Sequence, residues 1–418
     1  MSQEDTSTAL LGLQGWEIME NGMTIEEDGG VTISIVPKPG TGFRCSECGE
    51  GARALIAYDY KDARRIRDFP MHGRRVDLDV TLARVQCAAC GATAVQGLDW
   101  LEPYARMTMR YERYVAALCS LMPATDVAEH EGLDKSTVYR IDKKWLERRE
   151  ALRPAQPVER LGIDEIAIRK GHKYATVFYD LDRREVIGMI PHRRERGVSR
   201  FFRRWGKENC KRVRAVCMDL WAPFLNSVRR HLKNADVVFD KFHVYHYLSD
   251  AIEAVRRNEQ QLADEKGSSL IKGTRWLWLK GRQSLTRSQK TTLAEIMKVN
   301  RRLCRAYVLK EDFEAFYASG SAEEAAQFLK GWTKRCTQSN LLPFIALAKR
   351  LTRWSAGILM YFTHRITNGI SEGINNLIKV IKRRSYGFHD FNYFCLKILD
   401  ATGTLPPLSS LTTHNYAE

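Results

Sequence analysis

The sequence predicts an α/β fold carrying a mixed sheet, on three observations. Between Arg160 and Ile190, three runs rich in β-branched and aromatic residues are separated by the short turns Lys170-Gly171 and Asp182-Arg-Arg, which makes them an antiparallel meander. From there to Phe239 helical and extended patterns alternate, as they do where parallel strands join a sheet. Ahead of both, the apolar period changes from two to 3.6 near Tyr111, so a β-rich module and a helical one precede the sheet. At 418 residues the chain has room for roughly two to four domains.

Lys and Arg outnumber Asp and Glu by 66 to 50, a net charge of +16 that suits a polyanionic partner, nucleic acid first. No run of about 18 apolar residues occurs, and Met1–Gly15 is polar and acidic, so a cytosolic protein without a membrane partner is expected. Of ten cysteines, four form two CxxC pairs. The others (Cys119, Cys210, Cys217, Cys304, Cys336, Cys395) stand singly and read as small apolar residues in a reducing compartment.

The pairs are Cys45-Ser-Glu-Cys48-Gly and Cys87-Ala-Ala-Cys90-Gly. In each, the glycine permits the tight turn that presents two thiolates to one ion, and four thiolates suit tetrahedral Zn²⁺. The gap from Cys48 to Cys87 is longer than usual finger spacing. Val76, Leu78, Val80, Leu82 and Val85 read as one strand running into the second pair, as in a zinc ribbon. His72 reads as a surface histidine rather than a substitute ligand. Upstream, Val31, Ile33 and Ile35 mark another small sheet element.

Tyr111, Tyr114, Val115, Leu118, Cys119 and Met122 share one helical face. A second helix follows Pro123, Gly132-Leu133 turns the chain, and Asp134 caps a third helix with Val138, Ile141 and Trp145 inward. Its outward face carries Lys135, Ser136, Thr137, Tyr139, Arg140, Lys143 and Lys144, a profile suited to phosphates and base edges and so to a helix-turn-helix. Arg153–Pro157, with two prolines, reads as a linker.

Beyond the linker the meander is followed by a helix around Ser199–Trp205, a strand at Val213–Met218, a helix at Ala222–Leu232, a strand at Ala235–Phe239 and a long helix from Phe242. This order is that of a ribonuclease H-like sheet, in which the fourth strand pairs with the first. Asp219 then comes beside Asp164, and adjacent carboxylates repel unless a cation lies between them. Hard oxygen ligands favour Mg²⁺ or Mn²⁺, and two such ions about 4 Å apart activate the attacking oxygen and stabilise the leaving oxygen at a phosphodiester. Glu372 offers a third carboxylate, near the start of a helix expected to bury Ile370, Ile374, Leu377, Ile378 and Ile381. Lys379 and Arg383 share the face of Glu372 and make a phosphate-binding ridge. Each acid has an ordinary alternative: Asp164 and Asp219 as turn or cap residues at strand ends, and Glu372 as a complement to a helix N-terminus, worth well under about 1 kcal/mol at an exposed site. Asp240 and His243 form a further pair, expected as a helix cap or as support for the metal ligands rather than as direct ligands.

Taken together, Leu11-Gly-Leu-Gln-Gly-Trp16, the paired CxxCG motifs, the helix-turn-helix, Gly162-Ile-Asp-Glu165, Lys170-Gly-His-Lys-Tyr174, Met218-Asp-Leu-Trp221, Phe239-Asp-Lys-Phe-His-Val244, Glu372-Gly-Ile-Asn-Asn376 and Lys382-Arg-Arg-Ser-Tyr-Gly-Phe388 resemble the ISL3 family of bacterial insertion-sequence transposases, a DDE group, over nearly the whole chain. The resemblance implies that Asp164, Asp219 and Glu372 are the DDE triad. It also implies that the protein binds double-stranded DNA at terminal inverted repeats and at a target, as a homodimer or larger assembly in the bacterial cytoplasm, associated with the nucleoid when bound.

The expected organisation is a zinc-ribbon-like module at 1–103, a helix-turn-helix at 104–152, a ribonuclease H-like core at 158–250 and 362–400, and an all-α insertion at 251–361. Within the insertion Gly273-Thr-Arg-Trp-Leu-Trp-Leu-Lys mixes aromatics with cations, but Trp276 and Trp278 are read as core. A second reading, of another class, is a non-enzymatic zinc and helix-turn-helix DNA regulator with a retired catalytic domain. The intact acids argue against it.

Overall fold

A computed structural model describes residues 11–39, 41–49, 55–169 and 173–411; the expected turn at Lys170-Gly171 lies outside the described residues. The chain forms two compact units. One runs to Arg153 and takes in Arg384–Tyr386 and the chain from Leu405; the other comprises Pro154–Arg383 and Gly387–Thr404.

The described residues of the first unit open with seven strands: β1 (Trp16–Ile25), β2 (Val31–Pro37), β3 (Leu55–Tyr60), β4 (Arg64–Met71), β5 (Arg74–Val80), β6 (Ala83–Cys87) and β7 (Thr93–Val95). They make a four-stranded sheet in the order β1-β2-β5-β4 and a three-stranded sheet β3-β6-β7. The alternating run from Val76 to Val85 is therefore two strands in two sheets rather than one. Val76, Leu78 and Val80 pack with Ile33, Ile35 and Ile66, whereas Val85 packs with Cys45 and Cys87. The break after Val80 lets each half of the pattern face its own core, a choice that alternation alone does not encode.

Three helices follow: α1 (Met109–Leu121), α2 (Ala124–Glu131) and α3 (Lys135–Ala151). Thr108 caps α1, accepting from the Tyr111 amide at 3.3 Å, and so starts the helix two residues before the apolar pattern does. Gly132, at φ 62°, ends α2, and Asp134 caps α3 by accepting from the Ser136 amide at 2.8 Å. Val138, Ile141 and Trp145 are fully buried against Tyr111, Val115 and Val127.

The second unit holds β8 (Arg160–Arg169), β9 (Lys173–Asp180), β10 (Glu185–Pro191), α4 (Glu195–Trp205), α5 (Lys207–Arg212), β11 (Ala215–Met218), α6 (Ala222–His231), β12 (Asp236–Phe239) and α7 (Lys241–Leu262). The sheet order is β10-β9-β8-β11-β12. β8, β9 and β10 are antiparallel neighbours, and β11 runs parallel to both β8 and β12. The helix expected from Ser199 starts earlier, at Glu195, and α5 forms where no element was expected.

The remaining helices are α8 (Glu265–Ile271), α9 (Arg275–Leu279), α10 (Arg287–Val299), α11 (Arg301–Asp312), α12 (Glu314–Tyr317), α13 (Ala322–Gln338), α14 (Leu342–Arg353), α15 (Ser355–His364), α16 (Gly369–Arg384) and α17 (Phe391–Ala401). Phe313, Phe316, Trp332 and Phe344 extend the same apolar core that lies on the sheet through Phe178, Phe202 and Phe224. The expectation for Trp276 fails: Trp278 is fully buried and donates to Thr274 Oγ1 at 3.0 Å, but Trp276 is 63% exposed. Residues two apart on a helix point to opposite sides, so only one of the pair can face the core.

Helix α15 lies against the edge strand β12, where a Cβ on Gly357 would come within 2.5 Å of the Phe239 ring. Gly357→Ala is therefore expected to destabilise the second unit by about 1–3 kcal/mol through overpacking. Gly331, inside α13, has open space within 4 Å of where a Cβ would sit, and should gain about 0.5–1 kcal/mol on the same change. Urea denaturation of both variants checks the pair, and equal shifts would refute the close approach.

Candidate active site

The register of β11 on β8 pairs Met218 with Ile163, so Asp219 follows directly beside Asp164. Residues Asp164, Asp219 and His243 each offer one ligand atom, and these atoms lie within 4.8 Å of one another. His243 enters from the first turn of α7, its Nε2 at 2.5 Å from Asp219 Oδ1. Burial raises the Asp219 carboxyl above its ordinary range, against the pull of His243, and repulsion from Asp164 adds to the rise. Burial works against the charged imidazole, yet the contact with Asp219 outweighs it and raises His243. Asp219 Oδ1 is buried, and the polar group closest to it is the His243 imidazole. A buried anionic oxygen facing a second carboxylate and an imidazole fits a divalent cation.

Asp164 is held from α16. Its Oδ2 lies 2.7 Å from the Ser371 hydroxyl and accepts from Asn375 Nδ2 at 2.9 Å, while Oδ1 accepts from the Glu165 amide at 2.7 Å. Tyr179 on β9 donates to Asn375 Oδ1 at 2.8 Å, which turns the amide nitrogen toward the carboxylate. Close approach of the segment leading into α16 depends on Gly162, where a Cβ would sit 3.1 Å from Asn368 Oδ1 and 2.7 Å from Leu181; Asn368 Nδ2 donates to the Ile163 carbonyl at 3.0 Å.

This docking corrects the apolar face expected for the helix. The buried positions of α16 are Ser371, Ile374 and Ile378, while Leu377 is 36% exposed. The helix is rotated so that polar Ser371 and Asn375, one turn apart, face Asp164. Sequence reasoning missed them, although their i, i+4 spacing beside Glu372 was the available signal. Glu372 is exposed, next to Ser371, and is not among the atoms grouped within 4.8 Å. Lys379 and Arg383 are exposed on its face, with Lys379 Nζ donating to Asn376 Oδ1 at 3.3 Å.

Asp240 is 3% exposed and caps α7, accepting from the Phe242 amide at 3.5 Å. Burial raises its carboxyl to about 6 despite His243 and the backbone amides of Phe242 and Asn368. It thus braces the starts of α7 and α16 together. Glu165, beside the two acids, is raised by burial and paired with Arg193 at 3.1 Å, and that guanidinium lies over the rings of Tyr174 and Trp221 at 4.8 and 5.0 Å. Glu165 entered the sequence reading only as part of the Gly162-Ile-Asp-Glu165 motif, and Arg193 and Tyr179 not at all, since each is defined by what lies across from it.

In the first unit Cys45, Cys48, Cys87 and Cys90 converge on one point. Sγ separations of 3.8 Å for Cys45–Cys90 and 3.7 Å for Cys48–Cys87 match the roughly 3.8 Å edge of a tetrahedron with Zn–S bonds of about 2.3 Å. Gly49 and Gly91, at φ 75° and 72°, close the two turns by donating to the carbonyls of Cys45 and Cys87 at 3.1 and 2.8 Å. The amides of Cys48 and Glu47 lower the Cys45 thiol to about 7, toward the thiolate a metal needs.

Two family models match the chain. One, described as a transposase of the ISL3 group, covers residues 161–398, and one described as the helix-turn-helix domain of transposase family ISL3 covers residues 97–146. The transposase for insertion sequence element IS1001 of Bordetella parapertussis is 34% identical over 89% of this chain and 92% of its own. The chain belongs to the ISL3 family of insertion-sequence transposases. The transposase for insertion sequence element IS1557 of Mycobacterium tuberculosis is 26% identical over 97% of both chains. The reading as a non-enzymatic regulator is accordingly not favoured. Among the described residues no helix is long and apolar enough to cross a membrane.

In the helix-turn-helix of this transposase, Lys135, Ser136 and Arg140 are exposed, and Thr137, Tyr139 and Lys143 are partly so. Lys144 departs from the outward face expected for it. Its amine lies 3.0 Å from Glu102 and pairs with buried Glu112, while Arg148 also pairs with Glu102. A carboxylate as buried as Glu112 requires a cation, and Lys144 supplies it. Lys144→Met is expected to cost about 3 kcal/mol by stranding that charge. Lys143→Met, which loses a 3.8 Å pair with exposed Glu147, should change stability by under about 1 kcal/mol. Chemical denaturation separates the two, and equal small changes would return Lys144 to the DNA-facing set.

Proposed function

We propose that this transposase cuts and joins DNA by metal-dependent, in-line attack on phosphodiesters at a site formed by Asp164, Asp219 and Glu372 in a ribonuclease H-like core. The observation that carries the reading is the β8–β11 register that sets Asp219 beside Asp164. The strand order, with an antiparallel meander whose first strand pairs with the fourth, supports the ribonuclease H-like assignment. Mg²⁺ or Mn²⁺, when bound, supplies Lewis-acid polarisation of the phosphate and stabilises the attacking and leaving oxygens.

The chain's own residues set the rest. Asp164 is oriented as a ligand by Ser371 and Asn375, and Asp219 presents a buried oxygen beside the His243 imidazole. His243 faces Asp219 closely enough to ligate or to hold the carboxylate in place. Glu372, one residue from Ser371, completes the acidic set from the exposed face of α16. Lys379 and Arg383 on that face hold the backbone of the strand being cut. Water attacking an element end frees a 3′-hydroxyl, and that hydroxyl attacks target DNA in the same geometry, so neither ATP nor a covalent nucleophile is required.

Terminal inverted repeats are read by Lys135, Ser136, Thr137, Tyr139, Arg140 and Lys143 at the helix-turn-helix. The four cysteines hold a structural Zn²⁺ in a ribbon-like module. Two ends must be held together, which calls for a homodimer or larger assembly on DNA, in the bacterial cytoplasm.

Nicking and strand transfer of element-end DNA in Mg²⁺ or Mn²⁺ test the site. Asp164→Ala, Asp219→Ala and Glu372→Ala are expected to lose about 100-fold or more, since several kcal/mol of charge stabilisation depend on the ion. Equal cleavage by all four proteins would sink the assigned triad, and tight binding without cleavage by the unaltered protein would favour a regulator. For the cysteine site, one zinc per chain is expected by atomic absorption. Cys87→Ser should lose the metal and melt earlier in the first unit. A metal-free protein with unchanged melting in that variant would remove zinc from the account.

A further inference from the structure

No Asp or Glu occurs between Glu324 and Glu372, although the chain there carries many lysines and arginines. Helices α13 and α14 fall in this stretch. Their inner faces are buried through Leu329, Trp332 and Cys336 on one and Phe344, Leu347 and Leu351 on the other. Between their outer shoulders runs an open groove of about 510 Å³. Lys330 and Lys334 line one wall, Lys349 and Arg353 the other, and Ala348 the floor. All four cations are exposed, and none has a carboxylate within ion-pair distance among the described residues. Two cations of the same helical region are paired instead, Arg335 with Asp312 at 3.4 Å and Arg302 with Glu259 at 2.7 Å.

We infer that the groove between α13 and α14 binds the phosphate backbone of duplex DNA, independently of sequence. Each wall carries its two cations four residues apart, about 6 Å along the helix, so the groove addresses successive phosphates rather than one isolated anion. Uncompensated positive charge on an exposed surface persists at a cost in self-repulsion that a polyanion relieves. The hydroxyls of Thr333, Thr337 and Thr352, which also line the groove, donate to the Leu329, Thr333 and Ala348 carbonyls at 2.8, 2.7 and 2.9 Å. With the threonine hydroxyls donated to helix carbonyls, the four cations carry the recognition, and phosphate contacts made by charge do not depend on sequence. The transposase assignment enters only in naming DNA as the polyanion.

The test replaces Lys330, Lys334, Lys349 and Arg353 together by Gln in the full-length protein. Affinity for element-end and unrelated duplexes is followed by fluorescence anisotropy across a salt series. Each phosphate contact contributes about 0.9 to the slope of log K against log salt, so the slope should flatten by about three to four, with equal loss on both sequences. A control set, Lys266, Arg287, Lys290 and Lys298 to Gln, removes the same charge from other exposed positions and should flatten it by less than about one. A set with Arg at the three lysines and Lys at Arg353 should keep the original slope. Flattening by less than about two in the groove variant, or as much in the control, overturns the inference; a loss confined to element ends does so too.

Discussion

The parallel register of β11 on β8 sets Asp164 and Asp219 side by side at the centre of the sheet. Burial and mutual repulsion both work against the ionised Asp219. Much of the surrounding structure answers that arrangement. Ser371, Asn375 and the Glu165 amide fix Asp164, His243 lies against Asp219, and Arg193 balances the neighbouring Glu165. A divalent cation between the acids would relieve the remaining repulsion, which is the physical basis for reading the cluster as a metal site.

Two helices reach this point from opposite ends of a long helical segment. Asp240 begins α7 at the end of β12, and its carboxylate also meets the backbone amide of Asn368 just before α16. The helices in between are not an appendage with a core of their own: Trp332 and Phe344 belong to the same apolar cluster as Phe178 and Phe224 on the sheet. Gly357 lets α15 lie directly on Phe239 of β12, so the returning chain is delivered to the sheet at close quarters. The distance in sequence between Asp219 and Glu372 is thus bridged by packing rather than by a free linker.

In the first unit the same logic operates at smaller scale. Local backbone turns at Gly49 and Gly91 shape the cysteine cluster, and buried carboxylates are matched by cations, Glu112 of α1 by Lys144 and Asp68 of β4 by Arg110. A lysine on a recognition helix therefore need not serve recognition. Its role follows from the nearest carboxylate and from how deeply that carboxylate is buried.

Features carried by short-range spacing were legible in the sequence. The CxxCG pairs, the Gly132 turn, the Asp134 cap and the three buried positions of α3 depend on neighbours within a few residues, and backbone geometry enforces them wherever the chain goes. The meander was legible from its short turns, and the adjacency of β8 to β11 followed from the expected ribonuclease H-like order of elements. The rotation of α16, the contact of His243 with Asp219, the capture of Lys144 and the division of Trp276 from Trp278 were not. Each is decided by a partner distant in the chain: the polar face of α16 turns inward because Asp164 waits beneath it, and a one-residue rotation is invisible to a period of 3.6 on a helix apolar at several adjacent positions. The sequence by itself determined which residue types were available for metal, DNA and core. The tertiary structure decided which of them meet, because burial and charge pairing are properties of the contact and not of the residue.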